Sequence, residues 1–127
     1  MMISYKKFIP GIAWFFLVLI LIGLPGDDLP KANDWMDAIY FDKWVHAGLF
    51  LMLAFLFMMP IFRSNLNQKT KWHIIIKIAV AVIVFGLTTE FIQKFFIPGR
   101  SFDLLDWAAD SVGVLVAIIF CRRYYLR

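Results

Sequence analysis

Four long apolar segments constrain the fold of this chain more than any other feature. Residues 8–24 carry no charge, and residues 44–62 have His46 as their single ionisable group. Residues 74–97 and 104–121 are apolar apart from a few polar positions. The segments hold 17, 19, 24 and 18 residues, and about 17–25 helical residues cross the hydrocarbon core of a bilayer. Because every backbone amide in lipid needs an internal partner, the sequence predicts four transmembrane helices.

The composition supports the same fold class. Of the 127 residues, 62% are hydrophobic and the mean hydropathy is +0.78, whereas about half of the residues in a soluble domain are apolar. We therefore predict an all-α, integral membrane four-helix bundle that forms a single transmembrane domain over residues 8–121. The predicted helices cover about 8–24, 44–62, 74–97 and 104–121. Cys121 is the only cysteine, which excludes an internal disulfide and a multi-cysteine metal site.

The charges divide between the two ends of this bundle. One end of the bundle is formed by both termini, the 63–73 loop and Lys77, and it holds nine basic residues and no acidic ones. The opposite end holds four basic residues and all nine acidic residues. Because basic residues in short loops stay in the cytoplasm, we predict that both termini are cytoplasmic. The pI of about 9.4 reflects this asymmetry and gives no reason to expect a nucleic-acid partner.

Polar positions in three of the predicted helices fall at the acidic end. The second helix begins there, the third ends there and the fourth begins there. At 100° per residue the polar positions of each helix share one stripe, and we expect the three stripes to face each other. The result would be an outward-facing pocket. Its predicted lining residues are Asp42, Lys43, His46, Glu90, Gln93, Arg100, Asp106 and Asp110.

Small residues accompany the acidic ones on two of these stripes. Ala79 and Gly86 lie on the Glu90 stripe, and Gly113 and Ala117 lie on the Asp110 stripe. Such residues allow membrane helices to approach closely. The other side of the fourth helix is predicted to face lipid, through Leu105, Val112, Val116 and Ile119.

Three stretches also resemble a known family. DKWVH at 42–46, TEFIQ at 89–93 and PGRSFDLLDWAADSVG at 98–113 resemble, in order and spacing, the VanZ-like family of bacterial membrane proteins. The resemblance implies that the family's signature positions are Asp42, Lys43, His46, Glu90, Gln93, Arg100, Asp103, Asp106 and Gly113. Asp110 stands where the family usually has Asn, which adds one potential negative charge to the site.

The resemblance implies a multi-pass protein of the bacterial cytoplasmic (inner) membrane with a role in the cell envelope. The family's namesake is associated with resistance to teicoplanin-type glycopeptide antibiotics. On this basis we expect the partner to be a membrane lipid or a lipid-linked envelope precursor. Neither the oligomeric state nor the ligand follows from the sequence.

Three hypotheses for the polar residues stay open at this stage. In the first, Lys43, Arg100 and His46 bind an anionic group of an envelope lipid or cell-wall precursor. In the second, His46 and Glu90 are catalytic candidates for acid–base chemistry on a lipid-linked substrate, with Arg100 stabilising developing negative charge. In the third, Lys43–Asp, Arg100–Asp and His46–Glu90 contacts form a purely structural ion-pair network. Whether the protein is an enzyme is therefore undecided.

The sequence predicts no cofactor and no metal ligand. His73 lies at the opposite end from His46, so a pair of histidine ligands for zinc is not expected. His46 with the surrounding carboxylates would suit a hard cation rather than zinc. A transporter is also not expected, because one four-helix protomer has no second half to move against.

Overall fold

A computed structural model describes residues 3–23, 41–98 and 104–125, with the side chains at 41, 42, 124 and 125 left outside that description. Helices account for nearly all of these residues. After a short 3-10 helix at Tyr5–Phe8, the helices are α1 (Ile9–Ile22), α2 (Phe41–Phe62), α3 (Gln68–Phe96) and α4 (Leu104–Tyr125).

Within the described residues, four helical segments are long and apolar enough to cross a membrane, as predicted; the first is Tyr5–Ile22, which joins the 3-10 helix to α1. The longest, α3, has 29 residues, or about 44 Å at 1.5 Å per residue. Because the hydrocarbon core measures about 30 Å, α3 is longer than a membrane crossing requires.

The start of α3 differs from the sequence-based expectation. The helix begins at Gln68, ahead of the predicted start at residue 74. Two contacts satisfy its polar first turn: the Asn67 side chain accepts a 2.8 Å hydrogen bond from the backbone N–H of Thr70, and Lys71 Nζ donates to the carbonyl oxygen of Phe62 at 2.9 Å. Asn is among the preferred N-cap residues, and an ammonium group at the end of α2 complements that helix's dipole.

At the centre of the bundle lies α2, which packs against α1, α3 and α4. Its most extensive interface is with α4, and the two helices run parallel. Lys43 contacts Asp106 near their N-terminal ends, and the rings of Phe55 and Phe120 lie 5.5 Å apart further along. α3 runs antiparallel to α2, with Phe85 beside Phe50 and Trp72 beside Phe62.

A glycine sets the distance between α2 and α4. A Cβ atom added to Gly113 would lie 2.9 Å from the backbone nitrogen of Leu51 and closer still to the carbonyl oxygen of Ala47. These are backbone atoms of the facing helix, so they cannot move aside as a flexible side chain could. Gly113 therefore allows direct backbone contact between two membrane-compatible helices, as expected for small residues at such interfaces.

Burial confirms the predicted stripes. Ala79, Gly86, Glu90 and Gln93 of α3 are buried, as are Asp110, Gly113 and Ala117 of α4. On the opposite side of α4, Leu105, Val112, Val116 and Ile119 are each more than 40% exposed. α2 contributes more buried side chains to the apolar core between the helices than any other helix, including Phe50, Leu53, Met58 and Phe62.

A tryptophan side chain attaches α1 to this core. The indole Nε1 of Trp14 donates to the carbonyl oxygen of Leu49 at 2.9 Å. Below it, Gly11 leaves room for the ring of Phe57, which would lie 3.0 Å from an added Cβ atom. These contacts place α1 against α2.

Candidate functional site

Five ionisable side chains converge at one end of the bundle. α2 and α4 begin at this end and α3 finishes there, so residues early in α2 and α4 meet residues late in α3. Lys43 and His46 lie three residues apart on α2, and Asp106 and Asp110 lie four apart on α4, so each pair shares a helix face. Together with Glu90 of α3, these residues are called the polar cluster.

The α2 and α4 members of the polar cluster form a connected network. Lys43 Nζ donates to Asp106 Oδ1 at 2.6 Å. The other oxygen of that carboxylate, Oδ2, lies 3.4 Å from Nε2 of His46. The second ring nitrogen, Nδ1, lies 2.9 Å from Oδ1 of Asp110. His46 therefore bridges two carboxylates that are one helical turn apart.

Glu90 completes the cluster from α3. One ligand atom from each of His46, Glu90 and Asp110 can be chosen so that all three lie within 4.8 Å of one another. Both carboxylate residues are fully buried. In the part of the chain that the structure describes, Oε1 of Glu90 and Oδ2 of Asp110 are buried oxygens that accept no hydrogen bond.

Gly86 provides the space for the Asp110 carboxylate. A Cβ atom at position 86 would lie 3.0 Å from Asp110 Oδ2 and 3.3 Å from the ring of Phe50. The hydroxyl of Thr89 donates to the carbonyl oxygen of Gly86 at 2.7 Å, so this turn of α3 contributes no free hydroxyl to the carboxylate. The Asp110 carboxylate thus lies against bare helix backbone.

Exposure decreases from the end of the bundle inward. The side chains of Lys43, Asp106 and His46 are 18%, 14% and 13% exposed, and that of Asp110 is fully buried. The polar cluster therefore has a partly accessible rim, formed by Lys43 and Asp106, and a buried floor, formed by Asp110 and Glu90.

The hydrogen bonds that His46 can make depend on the protonation state of its ring. A neutral imidazole has one N–H donor and one lone pair, whereas an imidazolium has two N–H donors. Both ring nitrogens of His46 face carboxylate oxygens. A neutral ring cannot donate to both carboxylates, so a second proton on the ring, a proton on one carboxyl group or a bound cation would satisfy the contact that the lone pair faces.

Not all predicted site residues join the polar cluster. Gln93 is buried, but its Nε2 lies 3.5 Å from the carbonyl oxygen of Ile22 and so connects α3 to the end of α1. The side chain of Asp42, and all of Arg100 and Asp103, lie outside the described residues. Glu90 lies beside His46 in the cluster, and Nδ1 of His46 also lies 2.9 Å from Oδ1 of Asp110.

One contributor was not predicted from the sequence. Trp107 of α4 donates from Nε1 to the carbonyl oxygen of Ile83 at 3.0 Å. Located between Asp106 and Asp110 in the sequence, it ties α4 to α3 beside the cluster. The tryptophan at this position could have indicated such a contact, since an indole N–H in an apolar surrounding needs an acceptor.

Two cavities lie away from the polar cluster, among basic residues. A cavity of about 210 Å³ is lined by Lys7, Arg63 and their neighbours, and another of about 350 Å³ is lined by Lys6, Lys7 and Arg63. Both lie between the N-terminus and the end of α2, which is the end opposite the polar cluster. The N-terminal segment and the turn after α2 therefore share one end of the bundle.

A bundle of membrane-compatible helices with a charged cluster at one end defines a multi-pass membrane protein with a polar site of its own. A family model described as VanZ/LLP1 matches residues 12–125. The chain therefore belongs to the VanZ/LLP1 family, as the resemblance of its motifs predicted. No curated protein and no solved structure matches it.

Proposed function

We propose that this VanZ/LLP1 protein works in the cell envelope and that its polar cluster binds an anionic group of an envelope lipid or a lipid-linked cell-wall precursor. The observation that carries the proposal is the exposure gradient. A cationic side chain, Lys43, forms the partly exposed rim, and carboxylates form the buried floor. A phosphate or carboxylate arriving from the membrane surface would bind the exposed side of the Lys43 ammonium group.

Asp106 has a positioning role in this proposal. Its 2.6 Å contact holds Lys43 Nζ over α4, so the ammonium group is oriented before a ligand arrives. Charge-assisted hydrogen bonds of this kind are short and strong. Pre-orientation reduces the entropic cost of binding, which favours a recognition role for the pair.

Arg100 and Asp42 enter the proposal from the sequence. Arg100 lies outside the described residues, four positions before α4 begins. A guanidinium group binds phosphate or carboxylate through two parallel N–H donors, and we propose Arg100 as the second cationic contact. Asp42, adjacent to Lys43, is proposed to help orient these bases. Gln93 is proposed to support the site from the α1 side.

We also propose that the protein lies in the bacterial cytoplasmic membrane with both termini in the cytoplasm, so that the polar cluster faces outward. The convergence of Lys6, Lys7 and Arg63 at the opposite end supports this orientation. A Cys121→Ala background allows single cysteines to be placed at Ser4 and Pro98, both of which are exposed. A membrane-impermeant maleimide should label Pro98→Cys in intact spheroplasts and leave Ser4→Cys unlabelled; the reverse pattern would contradict the orientation.

Lipid photocrosslinking tests the binding proposal directly. In native membranes, a photoactivatable polyprenyl phosphate should label the wild-type chain, and Lys43→Gln and Arg100→Ala should each reduce labelling several-fold. Lys77→Gln is the matched control, because Lys77 is an exposed cation on α3 far along the helix from Glu90. Labelling that is equal in all four proteins would refute binding at the polar cluster.

The same variants test a link to antibiotic resistance. We propose that expression of the wild-type chain raises the teicoplanin concentration needed to inhibit growth, and that Lys43→Gln and Arg100→Ala abolish this effect. Immunoblotting of the membrane fraction controls for expression. Equal susceptibility of cells with and without the wild-type chain would remove the resistance role and leave lipid binding to be judged by crosslinking.

Acid–base catalysis is the second candidate function. It is favoured by the 2.9 Å hydrogen bond between His46 and Asp110 with Glu90 nearby, because a carboxylate that orients a histidine is a common catalytic arrangement. Purified protein would then convert a polyprenyl-linked phosphate substrate, and Glu90→Gln would lose turnover while retaining photocrosslinking. Turnover that persists in both His46→Gln and Glu90→Gln would exclude these residues as catalysts.

A further inference from the structure

We propose that His46, Glu90 and Asp110 bind one divalent cation at the floor of the polar cluster. One ligand atom from each residue lies within 4.8 Å of the other two. Three atoms that meet this limit share a point no more than about 2.8 Å from each of them, and hard divalent cations take oxygen ligands at about 2.0–2.6 Å. Small side-chain movements are therefore sufficient to form a coordination shell.

The carboxylate of Asp110 gives the second, independent observation. This side chain is completely buried, and its Oδ2 atom accepts no hydrogen bond from the described residues. Burying a carboxylate oxygen without a partner is unfavourable. Asp110 Oδ1, by contrast, lies 2.9 Å from a nitrogen of His46. A cation beside Asp110 would satisfy the carboxylate at a position that water does not reach.

His46 has the surroundings of a metal-binding histidine. When a histidine binds a metal through one nitrogen, the other N–H usually donates to a carboxylate, which fixes the ring. Here Nε2 faces Asp106 Oδ2 at 3.4 Å, and Lys43 holds Asp106 in turn. Nδ1 is thereby left facing Asp110. In a neutral ring with its proton on Nε2, the lone pair lies on Nδ1 and can bind a cation. Asp106 and Lys43 are positioning residues in this arrangement.

The charge of the cluster favours a dication. Among its five described side chains, three are carboxylates and one is an ammonium group, so a neutral His46 leaves two negative charges. A divalent cation would neutralise them. Two carboxylates and one imidazole suit an oxygen-preferring cation that also accepts nitrogen, and Mn²⁺ is a suitable probe. The proposal selects the hard-cation site that the sequence left open, and it does not depend on the lipid ligand proposed above.

Mn²⁺ titration of the purified full-length chain tests this inference without any added lipid. After treatment with EDTA in detergent, the loss of the free Mn²⁺ electron paramagnetic resonance signal measures binding. We expect one Mn²⁺ per wild-type chain, with an affinity at least tenfold lower in Asp110→Asn and in Glu90→Gln. Asp106→Asn should weaken binding by about 10–100-fold through the orientation of His46. Asp27→Asn, an acid outside the described residues, is the control and should bind as the wild type does.

Two further measurements keep the result interpretable. Nitrogen modulation of the bound Mn²⁺ signal should be present in the wild type and absent in His46→Gln, because it reports a directly coordinated imidazole. Circular dichroism without metal establishes that each variant is folded. Lack of binding to the wild type, or equal affinity in a folded Asp110→Asn variant, would overturn the cation site. Since no lipid is present, neither result bears on the lipid-binding proposal.

Discussion

Gly113 controls the contact between α2 and α4, and replacing it with alanine tests the structure most directly. The added Cβ atom would lie 2.9 Å from the backbone nitrogen of Leu51 and closer to the carbonyl oxygen of Ala47. Ordinary contacts of a Cβ atom begin near 3.4 Å. The two helices must therefore separate by at least about 0.5 Å at Leu51, and by more at Ala47, because helix backbone is not easily deformed.

The expected cost has two parts. Overpacking in a well-packed interior costs about 1–3 kcal/mol. The separation is also transmitted to the polar cluster, because Ala47 follows His46 directly and Gly113 lies one turn after Asp110. Loss of the 2.9 Å His46–Asp110 hydrogen bond would add about 1 kcal/mol. We therefore expect Gly113→Ala to reduce the free energy of unfolding by roughly 2–4 kcal/mol.

Unfolding of the purified protein in mixed micelles, followed by circular dichroism as the fraction of SDS rises, measures this change. Gly48→Ala is the matched control: it is also a helix glycine, but a Cβ atom there would meet nothing within 4 Å. The control should change stability by no more than about 0.5 kcal/mol, or increase it slightly through helix propensity. Equal stability of Gly113→Ala and Gly48→Ala would show that α2 and α4 do not meet at this glycine.

Three further substitutions test other contacts. Trp14→Phe removes the indole hydrogen bond that attaches α1 to α2 and should lower the free energy of unfolding by about 0.5–1.5 kcal/mol. An unchanged midpoint of SDS unfolding would contradict that contact. Lys71→Met removes the buried ammonium group from the last carbonyl oxygen of α2; thermal unfolding should reveal a loss of about 1.5–3 kcal/mol, and no shift in melting temperature would argue against it. Gly86→Ala places a methyl group 3.0 Å from Oδ2 of Asp110 and should weaken Mn²⁺ binding by about tenfold, a result that unchanged titration would exclude.

The fold followed from the sequence because lipid permits few alternatives. Long uncharged segments can satisfy their backbone amides only as helices, so hydropathy alone predicted four of them. The stripes of Glu90 and Asp110 followed from helix geometry, because burying these acids together with Gly86 and Gly113 leaves the apolar faces for lipid. The start of α3 was missed, since it depends on the Asn67 cap and not on hydropathy.

The identity of each side chain's partner was harder to predict. Helix periodicity places His46 near several acids, but the choice between Glu90 and Asp110 depends on the relative depth and rotation of three helices. Gln93 shares its stripe with Glu90, yet its amide reaches Ile22 at the end of α1. A sequence pattern gives the face of a helix and not its height against a neighbour. For the same reason, the metal geometry of the cluster became apparent only in three dimensions.

The parallel pairing of α2 and α4 has a consequence for biogenesis. Lys43 contacts a residue 63 positions further along the chain, and His46 contacts one 64 positions further. At about 5–20 residues per second of synthesis, the ribosome needs roughly 3–13 s to reach these partners after it has added Lys43 and His46. During that interval the insertion machinery must keep the start of α2 close to water. A nascent chain that stops before α4 therefore carries Lys43 and His46 without Asp106 and Asp110.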